Sequence, residues 1–387
     1  MTRKVKLAWA PLILASTLGF SGTPALPIWL TAAAERFHLT AQQSGLLASL
    51  ELACVALASI IAATRSHASR IPLALAIALS MAGNLASFLV TSAASLTAAR
   101  VVVGLAYGIT LAEIMRRAAQ MADPHRVFAM QQLGLVVFAA IFFTTTPMLM
   151  TALGPSASFL YNMAVGALAL LSLVWLPSSS SVSVASGVVS QAGKSSMAVG
   201  MTFLAITLSF ATQASLWANI AVAAKGAGLR LETLSQILAV GAVLNFLAPL
   251  AAVRLAVSWG RAAPLVLGYL GLALSVLTIA LPLGPLWFAA GAIGLNLFLL
   301  FLGPFLLGTL AGLDASGKGA AAGTAFFTIG AAIGPAVGGL VIGNAGFPTL
   351  GVIGAIAAAC ALTLALAASG KIPAPSGMST RHNLSGL

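Results

Sequence analysis

Apolar residues run along this chain in long blocks, separated by short clusters of polar, glycine and charged positions. A helix that crosses a bilayer needs roughly 20 mostly apolar residues. Twelve such blocks are present, over 7–30, 43–64, 71–92, 96–115, 127–152, 158–176, 197–221, 233–253, 262–282, 286–311, 320–343 and 347–369. The opening Arg3, Lys4 and Lys6 before an apolar run resemble a signal peptide, but no small-x-small cleavage site follows and further spans do, so the segment reads as the first span.

The longest polar interruption, Pro177 to Ser196, is rich in Ser and Gly and reads as a flexible cytoplasmic linker. It separates an N-terminal half, 1–176, from a C-terminal half, 197–370, ahead of a Pro/Ser-rich cytoplasmic tail over 371–387. The loop Arg65 to Arg70 has a counterpart in Arg254 to Arg261, and Arg116 to Arg126 in Gly312 to Gly319. Each pair is displaced by about 190 residues, as a duplicated bundle requires. The expected fold is an all-α membrane protein, twelve transmembrane helices in two pseudo-symmetric six-helix bundles.

Composition agrees. Of 387 residues 60% are apolar and 6% charged, against about 25% charged in a soluble domain. Polar side chains are too few to cover a water-facing surface, which excludes an ordinary soluble enzyme, a disordered chain and a disulfide scaffold. Cys54 and Cys360 lie in apolar blocks far apart. The net charge of +12 is an orientation signal. Lys and Arg gather at Arg3 to Lys6, Arg65 to Arg70, Arg116 to Arg126 and Arg254 to Arg261, whereas the opposite loops carry Arg36, Lys225 and Arg230. This asymmetry places both termini in the cytoplasm of a plasma membrane, such as a bacterial inner membrane, and directs the basic surplus to the lipid bilayer rather than to nucleic acid.

Glu51 stands near the middle of the second span, where an ionised carboxylate costs several kcal/mol unless it meets a cavity, a partner or a proton. It is the first candidate proton carrier, against the reading of a permanently satisfied packing carboxylate. Arg100 lies about four residues into the fourth span, leaving a vertical gap to Glu51 of roughly 6 Å that a long arginine can bridge. It either holds a carboxylate, on Glu51 or on a substrate, or snorkels outward.

Leu96, Arg100, Gly104 and Gly108 resemble the fourth-helix motif of the major facilitator superfamily, and Gly330, Gly334, Pro335, Gly338 and Gly339 are similar to its Gly-Pro-x-x-Gly-Gly pattern, here in the eleventh span. The likeness extends over the whole chain through helix count and central linker. The family's cytoplasmic loop motif is degraded: Ile61 replaces its glycine, Arg65 its aspartate, and Arg70 survives, while Gly260 and Arg261 match its end in the second half with Val257 at the acidic position.

The resemblance implies a secondary transporter of a small-molecule substrate, without cofactor or metal and monomeric, whose fourth, fifth, seventh, eighth and tenth helices face a central cavity. On them Tyr107, Gln131, Gln132, Gln213, Trp217, Asn219, Asn245 and Asn296 are candidate cavity residues, while Asn84 and Asn162 would be peripheral. Each is also capable of simple interhelical bonding. Gly22, Pro24 and Pro27, with Gly19, suggest a broken first helix with hinge and backbone-contact positions; Gly104, Gly108, Gly334, Pro335 and Gly338 suggest close packing. Glu113 pairs with Arg116 or Arg117 at the end of the fourth helix, or with Arg65 as an inner gate.

Gly312 to Gly319 approaches a phosphate-binding loop, but Gly319 replaces its final hydroxyl and no strand precedes it. His38, His67, His125 and His382 have no metal-ligand spacing. The expected activity is proton-coupled transport by alternating access, with efflux of amphipathic compounds ahead of movement of a small organic anion. A passive channel or non-transporting sensor is the remaining alternative, and an enzyme is not expected.

Overall fold

The computed structural model describes residues 9–63, 70–119, 121, 124–176, 196–260, 262–314 and 318–371. Arg3, Lys4, Lys6 and Arg65, most of the central linker and the tail after Lys371 lie outside the described residues.

In the first half α1 (Trp9–Phe37), α2 (Ala41–Ala63), α3 (Arg70–Leu89), α4 (Ala93–Ala119), α5 (Pro124–Leu153) and α6 (Ser158–Ser172) follow one another, α6 being flanked by single 3-10 turns. The second half comprises α7 (Ser196–Ala218), a short α8 (Ile220–Gly226), α9 (Leu231–Asn245), α10 (Ala248–Trp259), α11 (Ala262–Ala280), α12 (Pro285–Leu313) and α13 (Lys318–Ser369). Among the described residues eleven helical stretches are long and apolar enough to cross a membrane. The last joins two expected spans, which meet at Gly346, where φ 79 and ψ 174 leave helical space in a conformation that an L side chain rarely adopts. The chain is therefore a multi-pass membrane protein.

Packing pairs recur. In the first half α3 lies against α4 and α6, and α2 against α4; in the second α11 lies against α12 and α13, and α9 with α10 against α12. Across the halves α2 packs on α13 and α5 on α9.

Three expected helices are corrected. The first is not broken: α1 is continuous with Pro24 and Pro27 inside it. The seventh ends early, because Asn219 leaves helical geometry (φ −107, ψ 8) and its Nδ2 donates to Ser215 O at 2.9 Å. The eighth divides after Asn245, where Phe246 and Leu247 turn to bonds three residues back. Pro249 explains that division: it has no N–H and its ring collides with the carbonyl four residues earlier, that of Asn245.

Candidate functional site

Glu51 on α2 and Arg100 on α4 form one buried ion pair. Arg100 Nε donates to Glu51 Oε2 at 2.9 Å and Nη2 donates to Oε1, while Nη1 donates to Asn84 Oδ1 on α3 at 3.1 Å. Its guanidinium lies over the rings of both Trp29 of α1 and Phe159 of α6, 4.8 and 5.3 Å from their centroids. Arg100 is 0% exposed and Glu51 3%, so the arginine does not snorkel. Asn84 Nδ2 donates to Tyr107 Oη at 3.1 Å, and Ser21 Oγ stands 3.5 Å from the same oxygen. A polar network of four helices thus sits inside the N-terminal half.

Small residues make that convergence feasible. A Cβ on Gly104 would stand 2.5 Å from Glu51 O, and one on Gly108 2.3 Å from Val55 O, so α2 and α4 touch backbone to backbone. Gly22 leaves the space beside Tyr107 and Glu51 that its own Cβ would crowd. Desolvating two charges offsets most of their attraction unless further bonds are made; here an amide and two ring faces supply them.

Near the other end of α4, Glu113 Oε1 accepts from Arg116 Nη1 at 3.0 Å, and Arg116 Nη2 donates to Ala62 O at 2.7 Å, tying α4 to the end of α2. Arg117 is buried close by. The gate between Glu113 and Arg65 concerns a residue outside the described set.

The neutral candidates separate. Tyr107 belongs to the ion-pair network. Gln213 Nε2 donates to Asn296 Oδ1 at 2.8 Å, coupling α7 to α12. Gln131 is buried and donates to Leu12 O at 3.3 Å, whereas its neighbour Gln132 is exposed. Asn219 is spent on its own helix, and Asn245 ends α9 half-buried. Asn84 bonds Arg100 and Asn162 is 1% exposed on α6, both buried within the N-terminal half. Trp29, Phe159 and Ser21 carried no distinguishing sequence signal, since aromatic and small residues populate every span.

A second set of contacts joins the halves, from the middle of α1 to the α1–α2 loop. Pro27 cannot donate to Thr23 O, the carbonyl four residues back, and Trp217 Nε1 from α7 does so at 2.7 Å. Trp217 also meets Phe143 of α5 edge-on at 6.4 Å. On α2 and α13, a Cβ at Gly45 would stand 2.2 Å from Pro335 O and one at Gly339 2.3 Å from Ala41 O. Ser49 Oγ accepts from Ala336 N at 2.8 Å. Lys225 Nζ reaches Glu35 Oε1 at 3.1 Å on the exposed rim. Gly330, Gly334 and Gly338 line the other face of α13, against the carbonyls of Thr207, Ala211 and Ser215.

Asp314 Oδ2 accepts from Gly319 N at 2.7 Å, so the glycine-rich loop residues described here serve the start of α13. Among the described residues no three His, Cys, Asp or Glu side chains converge on a metal position.

No family model and no curated protein matches the sequence. Solved structures do match in fold. A bacterial homolog of the human lysosomal transporter Spinster, inward-facing and unoccupied, aligns with TM-score 0.69 at 14% identity over 96% of this chain and 98% of that one. The nucleoside transporter NupG aligns with TM-score 0.67 at 15% identity, covering 95% and 99%. The human organic anion transporter TETRAN aligns with TM-score 0.66 at 15% identity, covering 94% and 100%. The chain has the fold of these transporters.

Proposed function

We propose that the chain is a secondary transporter of small amphipathic organic compounds, working by alternating access between two six-helix halves on either side of the central linker. The observation that carries this reading is the concentration of close contacts between the halves near one face: Gly45 and Gly339 at backbone contact and Ser49 on Ala336. Bonds so local to one end can open as a unit while the halves pivot. With the termini in the cytoplasm, as the Lys/Arg asymmetry predicts, the outer face is the closed one.

The charge pattern favours amphipathic cargo over an organic anion. Arg100 is the cation that an organic-anion transporter would require, and its three nitrogens are engaged inside the N-terminal half. Proton coupling runs through Glu51. A neutral Glu51 would still offer Arg100 a carbonyl oxygen, and Asn84 with the faces of Trp29 and Phe159 would supply the rest.

A disulfide between Ser49→Cys and Ala336→Cys, in a Cys54→Ser, Cys360→Ser background, tests the pivot. Ligands are first identified by thermal shift among drugs, organic acids, sugars and amino acids. Counterflow of the best ligand in liposomes should stop on oxidation and return on reduction. Undiminished counterflow with the cross-link complete overturns alternating access.

A further inference from the structure

Under the α1–α2 face, the N-terminal half encloses a cavity of about 10 Å³ bounded by Trp29, Arg36, Ser156 and Phe159 among others, which is room for one water molecule. Its floor is made by Trp29 and Phe159, the two rings that cover Arg100. Buried polar atoms without a protein partner continue from there: Trp29 Nε1, Ser158 Oγ, and both Nδ2 and Oδ1 of Asn162. Each of the three residues is 1% exposed.

Register shows where they lead. Ser158 and Asn162 are one turn apart on α6, and one turn further Gly166 meets Met81 of α3 and Leu18 of α1. Since α6 runs antiparallel to both, Asn162 stands at the depth of Asn84 and Ser21, the partners of Arg100 and Tyr107. Buried polar atoms in native proteins are satisfied by protein or by ordered water. A dry apolar wall would not hold four of them in the layer that contains a water-sized cavity and an ion pair.

We infer that the N-terminal half contains its own hydrated passage, from the α1–α2 face past Trp29 and Phe159 to the Glu51–Arg100 pair, which admits water and protons and excludes solute. At its mouth stand Arg36, bonded to Ser156 Oγ at 2.7 Å, with Glu35 and His38 beside it in sequence. At its end Glu51 faces Arg100 and Tyr107 from α4 and Gly22 from α1, with Cys54 on its own helix. From the opposite side α13 brings no acidic or basic residue between Gly319 and Ser369. The passage gives the pair a connection to one face that does not depend on which way the central cavity opens. Its use in coupling rests on the reading of Glu51 above; its existence does not.

Hydroxyl-radical footprinting of the full chain in nanodiscs, read by mass spectrometry, tests it. Phe159 should be oxidised several-fold faster than Phe142, which is 0% exposed in the same half. Asn162→Leu with Ser158→Ala should bring Phe159 down to the Phe142 rate. Equal rates for the two phenylalanines in the unmodified protein overturn the passage. The signal reports water, so that outcome leaves proton coupling by Glu51 standing, to be judged separately by transport in Glu51→Gln.

Discussion

Replacing Trp217 by Phe isolates one hydrogen bond between the two halves, at the middle of α1. The indole N–H reaches Thr23 O at 2.7 Å, a carbonyl that Pro27 has left without a helical donor. Phenylalanine keeps most of the packing on Phe143. Thr23 is itself exposed, so its carbonyl can take water once the indole nitrogen is gone, and the loss is that of an ordinary net hydrogen bond, roughly 0.5–1.5 kcal/mol. At 1.4 kcal/mol per factor of ten, the ratio of closed to open states should fall about two- to twelvefold. Spin labels at Gln42→Cys and Arg230→Cys, both exposed on that face, in the Cys54→Ser, Cys360→Ser background, report the distance by pulsed electron resonance. A long-distance population should grow at the expense of the short one. If the distribution matches that of the parent while Gly45→Ala widens it, the bond does not hold the face shut and the reasoning fails.

Gly45→Ala should act in the same direction and more strongly, since its Cβ would stand 2.2 Å from Pro335 O and overpacking costs ~1–3 kcal/mol; the same label pair checks it. Glu51→Leu strands Arg100 without its carboxylate and should lower stability by ~3–5 kcal/mol, with Arg100→Leu in the same protein restoring most of it, as read from thermal denaturation. Glu51→Gln should make ligand counterflow independent of pH, whereas retained pH dependence removes Glu51 as the coupled carboxylate. Gly108→Ala should lower the melting temperature, its Cβ falling 2.3 Å from Val55 O, whereas Gly200→Ala on α7, with nothing within 4 Å, should raise it, the helix-propensity gain being ~1 kcal/mol. The opposite ordering would deny that backbone contact explains the glycines of α4.

Much of the architecture is legible in the chain, because a bilayer imposes a length and a hydropathy that any sequence must meet. The spans, the charged residues within them and the similar depth of Glu51 and Arg100 follow from residue counting, whereas their pairing does not. Helix continuity is less legible: Pro24 and Pro27 leave α1 intact, whereas Pro249 divides α9 from α10. A proline states that one carbonyl loses its donor, and whether the helix breaks depends on what neighbouring helices offer that carbonyl.

Sequence alone determined that the chain crosses a membrane many times and that Glu51 and Arg100 are the charges most in need of partners. Tertiary structure decided what satisfies them. Asn84, Trp29 and Phe159 come from three different helices, and no spacing along the chain encodes the rotation that points each toward Arg100. The closed face is likewise tertiary. Gly45 and Pro335 are nearly three hundred residues apart, and their contact depends on how two halves dock, which local hydropathy does not record.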